Sequence, residues 1–140
     1  MKLGSISNFD IDEYFGSRVC FAKDQLPARM EEGAAFIVNF HDSMRPGSHY
    51  VALKCKNGWN MYFDSFGGEI LPECLKLCRS NSNETVYNVY RIQGFKSNLC
   101  GLFCIDFLNR VHDYDSYNKF LLGYSPNAFQ ENDKIVMRRF

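Results

Sequence analysis

A histidine, a carboxylate, a glutamine and a cysteine of this chain are residue types that acyl transfer can use. His49 lies in GSHYVAL, Asp64 in YFDSFGG, and Gln93 and Cys100 in RIQGFKSNLCGLFCIDFLNR. A thiol attacks a carbonyl as its thiolate, so a cysteine nucleophile needs a base, and the base needs an acceptor that fixes its tautomer. Cys100 opens an apolar stretch of helical spacing, behind a polar loop. Unpaired N–H groups and the positive dipole end of a helix stabilise an anion there, enough to bring a thiol pKa from about 8.5 into the range of roughly 3.5–7.5. Gly101 removes side-chain bulk beside the sulfur, which suits the approach of a substrate backbone, whereas Cys104 falls one turn deeper and reads as core. Taken singly each residue has a plainer reading: Cys100 as a buried structural thiol, Asp64 as a turn former before Ser65, Gln93 as a solvated loop amide.

The elements that must position these residues can be read from turns and periodicity. Asn57-Gly58 predicts a two-residue hairpin, so the strand HYVALKC, with His49, Val51 and Leu53 on one face, turns back into WNMYFD. Near-symmetric pairing about that turn sets residue 51 opposite residue 64 and brings His49 beside the exit of the Asp64 strand. Residues 34–40 (AAFIVNF) form an apolar run of buried-strand length, and TVYNVYRI reads as another strand. NFDIDEYFG predicts a short helix capped by Asn8 or Asp10 and stopped by Gly16. EILPECLKLCRS predicts a helix with Pro72 in its first turn and Ile70, Leu71, Cys74, Leu75 and Cys78 inward. YDSYNKFLLG predicts a further helix, and DKIVMRRF a basic tail or final strand. LCGLFCIDFLNRV is apolar nearly all round, with Asp106, Asn109 and Arg110 as a narrow polar stripe, as expected of a central helix. The fold class that follows is α+β: a small, mostly antiparallel sheet packed on a central helix that carries Cys100 at its N-terminus.

Bulk properties narrow the partners. The chain has 140 residues and no repeat or linker, which predicts one domain over residues 1–140. A hydrophobic fraction of 46%, with 13 Phe and 8 Tyr, excludes a disordered chain. Sixteen basic and sixteen acidic residues cancel, so net charge gives no support to nucleic-acid binding. The first residues lack the apolar core of a signal peptide, and no run reaches the roughly 18 apolar residues of a membrane span, so secretion and a membrane are not expected. The six cysteines then read as free thiols, and the Asn83-Glu84-Thr85 sequon as incidental. The two C-x3-C pairs suit a helix interior better than a zinc site, and no metal is assigned. Trp59, Tyr62, Phe63 and Phe66 read as sheet packing, MRRF as a solvated tail, and His41 and His112 as solvent-facing.

The combination GSHYVAL, YFDSFG and QGFKSNLCGLFCIDFL resembles the adenovirus-type (adenain-like) viral maturation cysteine proteases, most nearly their polinton, adintovirus and virophage versions. SUMO-specific proteases of the Ulp type are more distant relatives. The likeness spans roughly residues 20–110, and it includes FAKDQLP and AAFIVNF upstream of the histidine. In those families the order is His, Asp or Glu, Gln, Cys, with the glutamine a short way before the cysteine; here the gap is seven residues. The resemblance implies a papain-like fold, Cys100 as nucleophile, His49 as general base and then acid, and Asp64 as its orienting carboxylate. It implies an oxyanion hole made by the Gln93 amide and the Cys100 N–H. Tyr50 stands where the family commonly has Trp, and with Gly101 it would wall the substrate groove. Implied partners are viral precursor polypeptides cut at glycine-containing sites, in the virion and the infected cell, by a monomer. No cofactor is required by the sequence; an activating peptide or DNA is left open, since the chain is shorter than the adenovirus enzymes. Three other readings remain: a deconjugase of ubiquitin-like proteins, a non-catalytic binding module on the same fold, and a metal-binding module.

Overall fold

Strand and turn signals resolve into one five-stranded sheet of order β1-β2-β3-β4-β5. Its strands are β1 (Cys20–Ala22), β2 (Ala35–Asn39), β3 (Tyr50–Lys56), β4 (Trp59–Phe63) and β5 (Glu84–Tyr87). The computed structural model describes residues 6–40, 49–94 and 98–140; the reading of His41 and its turn-rich loop, and part of the polar loop before Cys100, lie outside the described residues. Asn57 and Gly58 take φ of 50° and 86°, the all-positive combination that matches the twist of a two-residue hairpin. Ala52 pairs with Phe63, so the register is the one that sets 51 opposite 64.

The sheet is mixed. β2–β3 and β3–β4 are antiparallel, but β1–β2 and β4–β5 are parallel, so the expectation of a mostly antiparallel sheet holds only at its centre. Parallel neighbours need a crossover, and the helix α2 (Pro72–Cys78) lies in the one between β4 and β5. β1 is a strand that the sequence reading did not anticipate: three residues are too few for a period to show.

The described residues hold four more α-helices: α1 (Asn8–Phe15), α3 (Cys100–Arg110), α4 (Tyr114–Leu122) and α5 (Phe129–Arg138). Ser7, rather than Asn8 or Asp10, caps α1, in a reciprocal capping box with Asp10, and Gly16 ends it at φ 68°. The last segment is helix α5, neither tail nor strand. Both sheet faces are covered. Ile37, Ala52, Met61 and Phe63 pack with α3, and Val38, Val51, Leu53 and Tyr62 with Leu71, Cys74, Leu77 and Cys78 around α2. This double coverage explains why β2 reads as a continuous apolar run instead of an alternation. In α2, Leu77 is buried where Leu75 was expected.

Every residue of α3 from Cys100 to Leu108 is buried, and the helix lies against β3. Its C-terminal end is closed by the Lys54 amine, which donates to the carbonyls of Leu108 (2.8 Å) and Val111. The cation complements the negative end of the helix dipole, while the other end presents Cys100.

Candidate active site

Three element ends meet at one place: the entry of β3 after His49, the exit of β4 before Asp64, and the first residue of α3, Cys100. His49 Nε2 lies 2.8 Å from Asp64 Oδ1. The carboxylate is 2% exposed and is itself held. Phe66 N–H donates to Oδ1 (2.9 Å) and Gly68 N–H to Oδ2 (3.2 Å). The Asn88 side chain clamps the Asp64 backbone at both ends, accepting from its N–H (3.0 Å) and donating to its C=O (2.6 Å).

The imidazole is packed on its faces as well. Phe66 stacks on it at 4.5 Å and 21°, and Phe40 meets it edge-on at 4.8 Å. Phe66 therefore belongs to the site and not to sheet packing. The Nδ1 atom is buried without a hydrogen bond among the described residues. The Cys100 thiol also acts on the ring. Burial by itself lowers the imidazole pKa; the hydrogen bond with Asp64, the interaction with Cys100 and the charges of both outweigh it and raise the value to about 9 from 6.5. Such a ring keeps its proton at neutral pH.

Cys100 is buried within the main core cluster. Its N-cap is Leu99, whose side chain makes no capping hydrogen bond. The other thiols sit in environments hostile to charge. Burial, aided by Asp12, pushes Cys20 up to about 12. Burial likewise pushes Cys78 up to about 11, and Cys74 and Cys104 well above the ordinary range. Cys104 lies wholly in the interior, one turn below Cys100.

Gln93 is fully buried and tied to the residue after Asp64. The Ser65 hydroxyl donates to Gln93 Oε1 at 2.5 Å, and the Ser65 carbonyl accepts from Ile92 N (2.9 Å) and Gln93 N (3.0 Å). This close approach depends on Gly67, at φ 67°: a Cβ there would lie 2.4 Å from the Tyr90 carbonyl carbon and oxygen. Arg91 donates from Nε to Gln93 O (2.7 Å) and sets its guanidinium 4.5 Å over the Phe66 ring. Asn132 of α5 donates to Ile92 O (3.1 Å).

Tyr50 and Gly101 are placed differently from the wall of an open groove. Tyr50 is 4% exposed, and its hydroxyl donates to Asn8 Oδ1 (2.8 Å) and Ile6 O (3.3 Å). A Cβ on Gly101 would meet Ile6 at 2.6 Å and the Tyr50 ring at 3.6 Å. The space beside that glycine is filled by the chain's own Ile6. Sequence reasoning also passed over Ser65, Phe66, Asn88 and Arg91. The turn-rich DSFGG directly after a strand was the one signal for the first two.

No family model matches this sequence, and no curated protein matches it. Its fold is similar to that in a crystal structure of the selenomethionine form of the ASFV pS273R protease, with a TM-score of 0.53 and 16% identity. The match covers 94% of this chain and spans 66% of that one. At that identity the likeness is one of fold: the α+β architecture, with its mixed five-stranded sheet, is similar to that of the viral protease.

Proposed function

We propose that this protein is a cysteine endopeptidase of the adenovirus type that processes viral capsid and core precursors during particle maturation. The observation that carries the reading is the His49 imidazole, held through Nε2 by Asp64 at 2.8 Å and raised to about 9, beside the thiol that opens α3. The fold likeness to a viral protease supports it.

In this reading Cys100 Sγ attacks the scissile carbonyl carbon. The oxyanion takes hydrogen bonds from the Gln93 amide and the Cys100 N–H, donors each worth about 3–4 kcal/mol in comparable sites. His49 then gives its proton to the leaving amine as the C–N bond breaks. Water, deprotonated by His49, attacks the thioester, the C–S bond breaks and the acid product leaves. Asp64 keeps the imidazole in the right tautomer throughout. Substrates are precursor polypeptides cut at glycine-containing sites, by a monomer, in the virion and the infected cell.

The test is cleavage mapping by mass spectrometry on a proteome-derived peptide library and on the coat and core precursors of the source virus, with Cys100→Ala as control. Discrete precursor sites, lost in Cys100→Ala, are expected. Turnover confined to ubiquitin-like precursors would replace the maturation role with deconjugation. Absence of both turnover and selective Cys100 alkylation would leave a binding module.

A further inference from the structure

We infer that Ser65 is a positioning residue for the oxyanion hole, selecting the orientation in which Gln93 presents its amide nitrogen; this rests on the endopeptidase reading above. A primary amide is nearly symmetric in shape but opposite in polarity at its two ends. Turned over, Gln93 would offer a carbonyl oxygen to a developing negative charge and repel it. A fully buried glutamine has no water to settle the choice, so a protein donor must. The Ser65 hydroxyl lies 2.5 Å from Oε1, within the range of an O–H···O bond and short for N–H···O, which makes it the donor, and Ser65 is itself fully buried.

The same residue holds the backbone of its partner, through the bonds from Ile92 N and Gln93 N to its carbonyl. Neighbouring residues thus divide the work: Asp64 orients the imidazole and Ser65 the oxyanion donor. Both arms hang from one turn, which Gly67 lets approach residues 90–91. Preorganised donors act without reorganisation during the reaction, and a donor that must first choose between two orientations loses that advantage.

The experiment uses the full chain and a fluorogenic peptide built on its best mapped cleavage site. Ser65→Ala is expected to lower kcat by roughly 10- to 100-fold with KM within about twofold. Binding of a peptide aldehyde, whose adduct carries the oxyanion, should weaken in parallel. The rate of Cys100 alkylation by iodoacetamide, which forms no oxyanion, and its pH profile should not move. Ser65→Thr, which keeps the hydroxyl, should restore most of kcat, and in a Gln93→Ala background Ser65→Ala should add less than about threefold. Should thermal melts show Ser65→Ala unfolded, Ser65→Cys, of similar size and a weaker donor, takes its place. An unchanged kcat, equal losses in both backgrounds, or alkylation falling with kcat would overturn the inference while leaving the endopeptidase reading intact. A wild-type chain that neither cuts peptides nor is alkylated at Cys100 would overturn that reading, and this inference with it.

Discussion

The imidazole of His49 is gripped at Nε2 by Asp64, on one face by Phe66 and along an edge by Phe40. Of these, Asp64 contributes most to keeping the ring protonated, against a burial that alone would neutralise it. Asp64→Asn retains the shape but keeps an acceptor for only one of the Phe66 and Gly68 N–H groups, which bond different oxygens, and it removes the charge. The alkaline limb of kcat/KM should therefore move from near pH 9 down toward the ordinary histidine value of 6.5. Activity at neutral pH should fall by at least about 100-fold, as in other triads deprived of this charge; a pH–rate profile of peptide hydrolysis checks both. The same shift bears on folding. A value raised in the folded state adds stability that is fully present below pH 6.5 and is lost as pH rises through about 9, so thermal melts should show it. That His49 and Asp64 would meet was legible because one turn, Asn57-Gly58, sets the register between them. That Phe66 would stack on the ring was not, since a stacking partner carries no period or spacing of its own.

Between the elements, two contacts keep the ends of α3 and the turn after β4 in place. Lys54 reaches across from β3 to the last carbonyls of α3, and burial lowers its pKa. Lys54→Met should preserve the packing of its stem yet leave those carbonyls unpaired, at a cost of about 1–3 kcal/mol read from chemical denaturation. Gly67 is the sharper test. An alanine there meets backbone, which cannot give way as a side chain end would, and at φ 67° it is strained besides. Gly67→Ala should push the 64–68 turn from residues 90–91, part Ser65 from Gln93 and cut kcat by more than about tenfold; iodoacetamide labelling of Cys100 would report how far the damage reaches His49. The helices themselves were readable: α3 from its all-round apolar spacing, α2 from Pro72. β1 and the parallel margins were not, because a three-residue strand and a crossover leave no local signature.

For the molecule as a whole, the C-terminal helix decides how rigidly α3 and the segment around Gln93 are backed. Asp106, the polar spot on α3 that sequence reading left as a stripe, is 2% exposed and fully engaged. It accepts from Arg110 Nε (2.7 Å), the Tyr124 hydroxyl (2.5 Å) and Arg139 Nη1 (2.5 Å). Arg139, read from the sequence within a solvated tail, is thus the latch that fastens the end of α5 to the helix that carries Cys100; nothing local to MRRF announces a partner 33 residues away. A second tie runs from the same helix, through Asn132, to Ile92 and to both backbone groups of Ser125. The two ties predict different outcomes. Arg139→Met removes a charge-assisted bond far from the reacting atoms and leaves Asp106 with Arg110 and Tyr124, so it should cost about 1.5–3 kcal/mol of stability and barely change kcat well below the melting point. Asn132→Ala strands the carbonyl of Ile92, the residue beside Gln93, so it should lower stability and kcat together. Paired thermal melts and peptide turnover on the two variants separate these roles; equal kcat losses in both would mean that α5 supports the site as one rigid block instead of through Asn132.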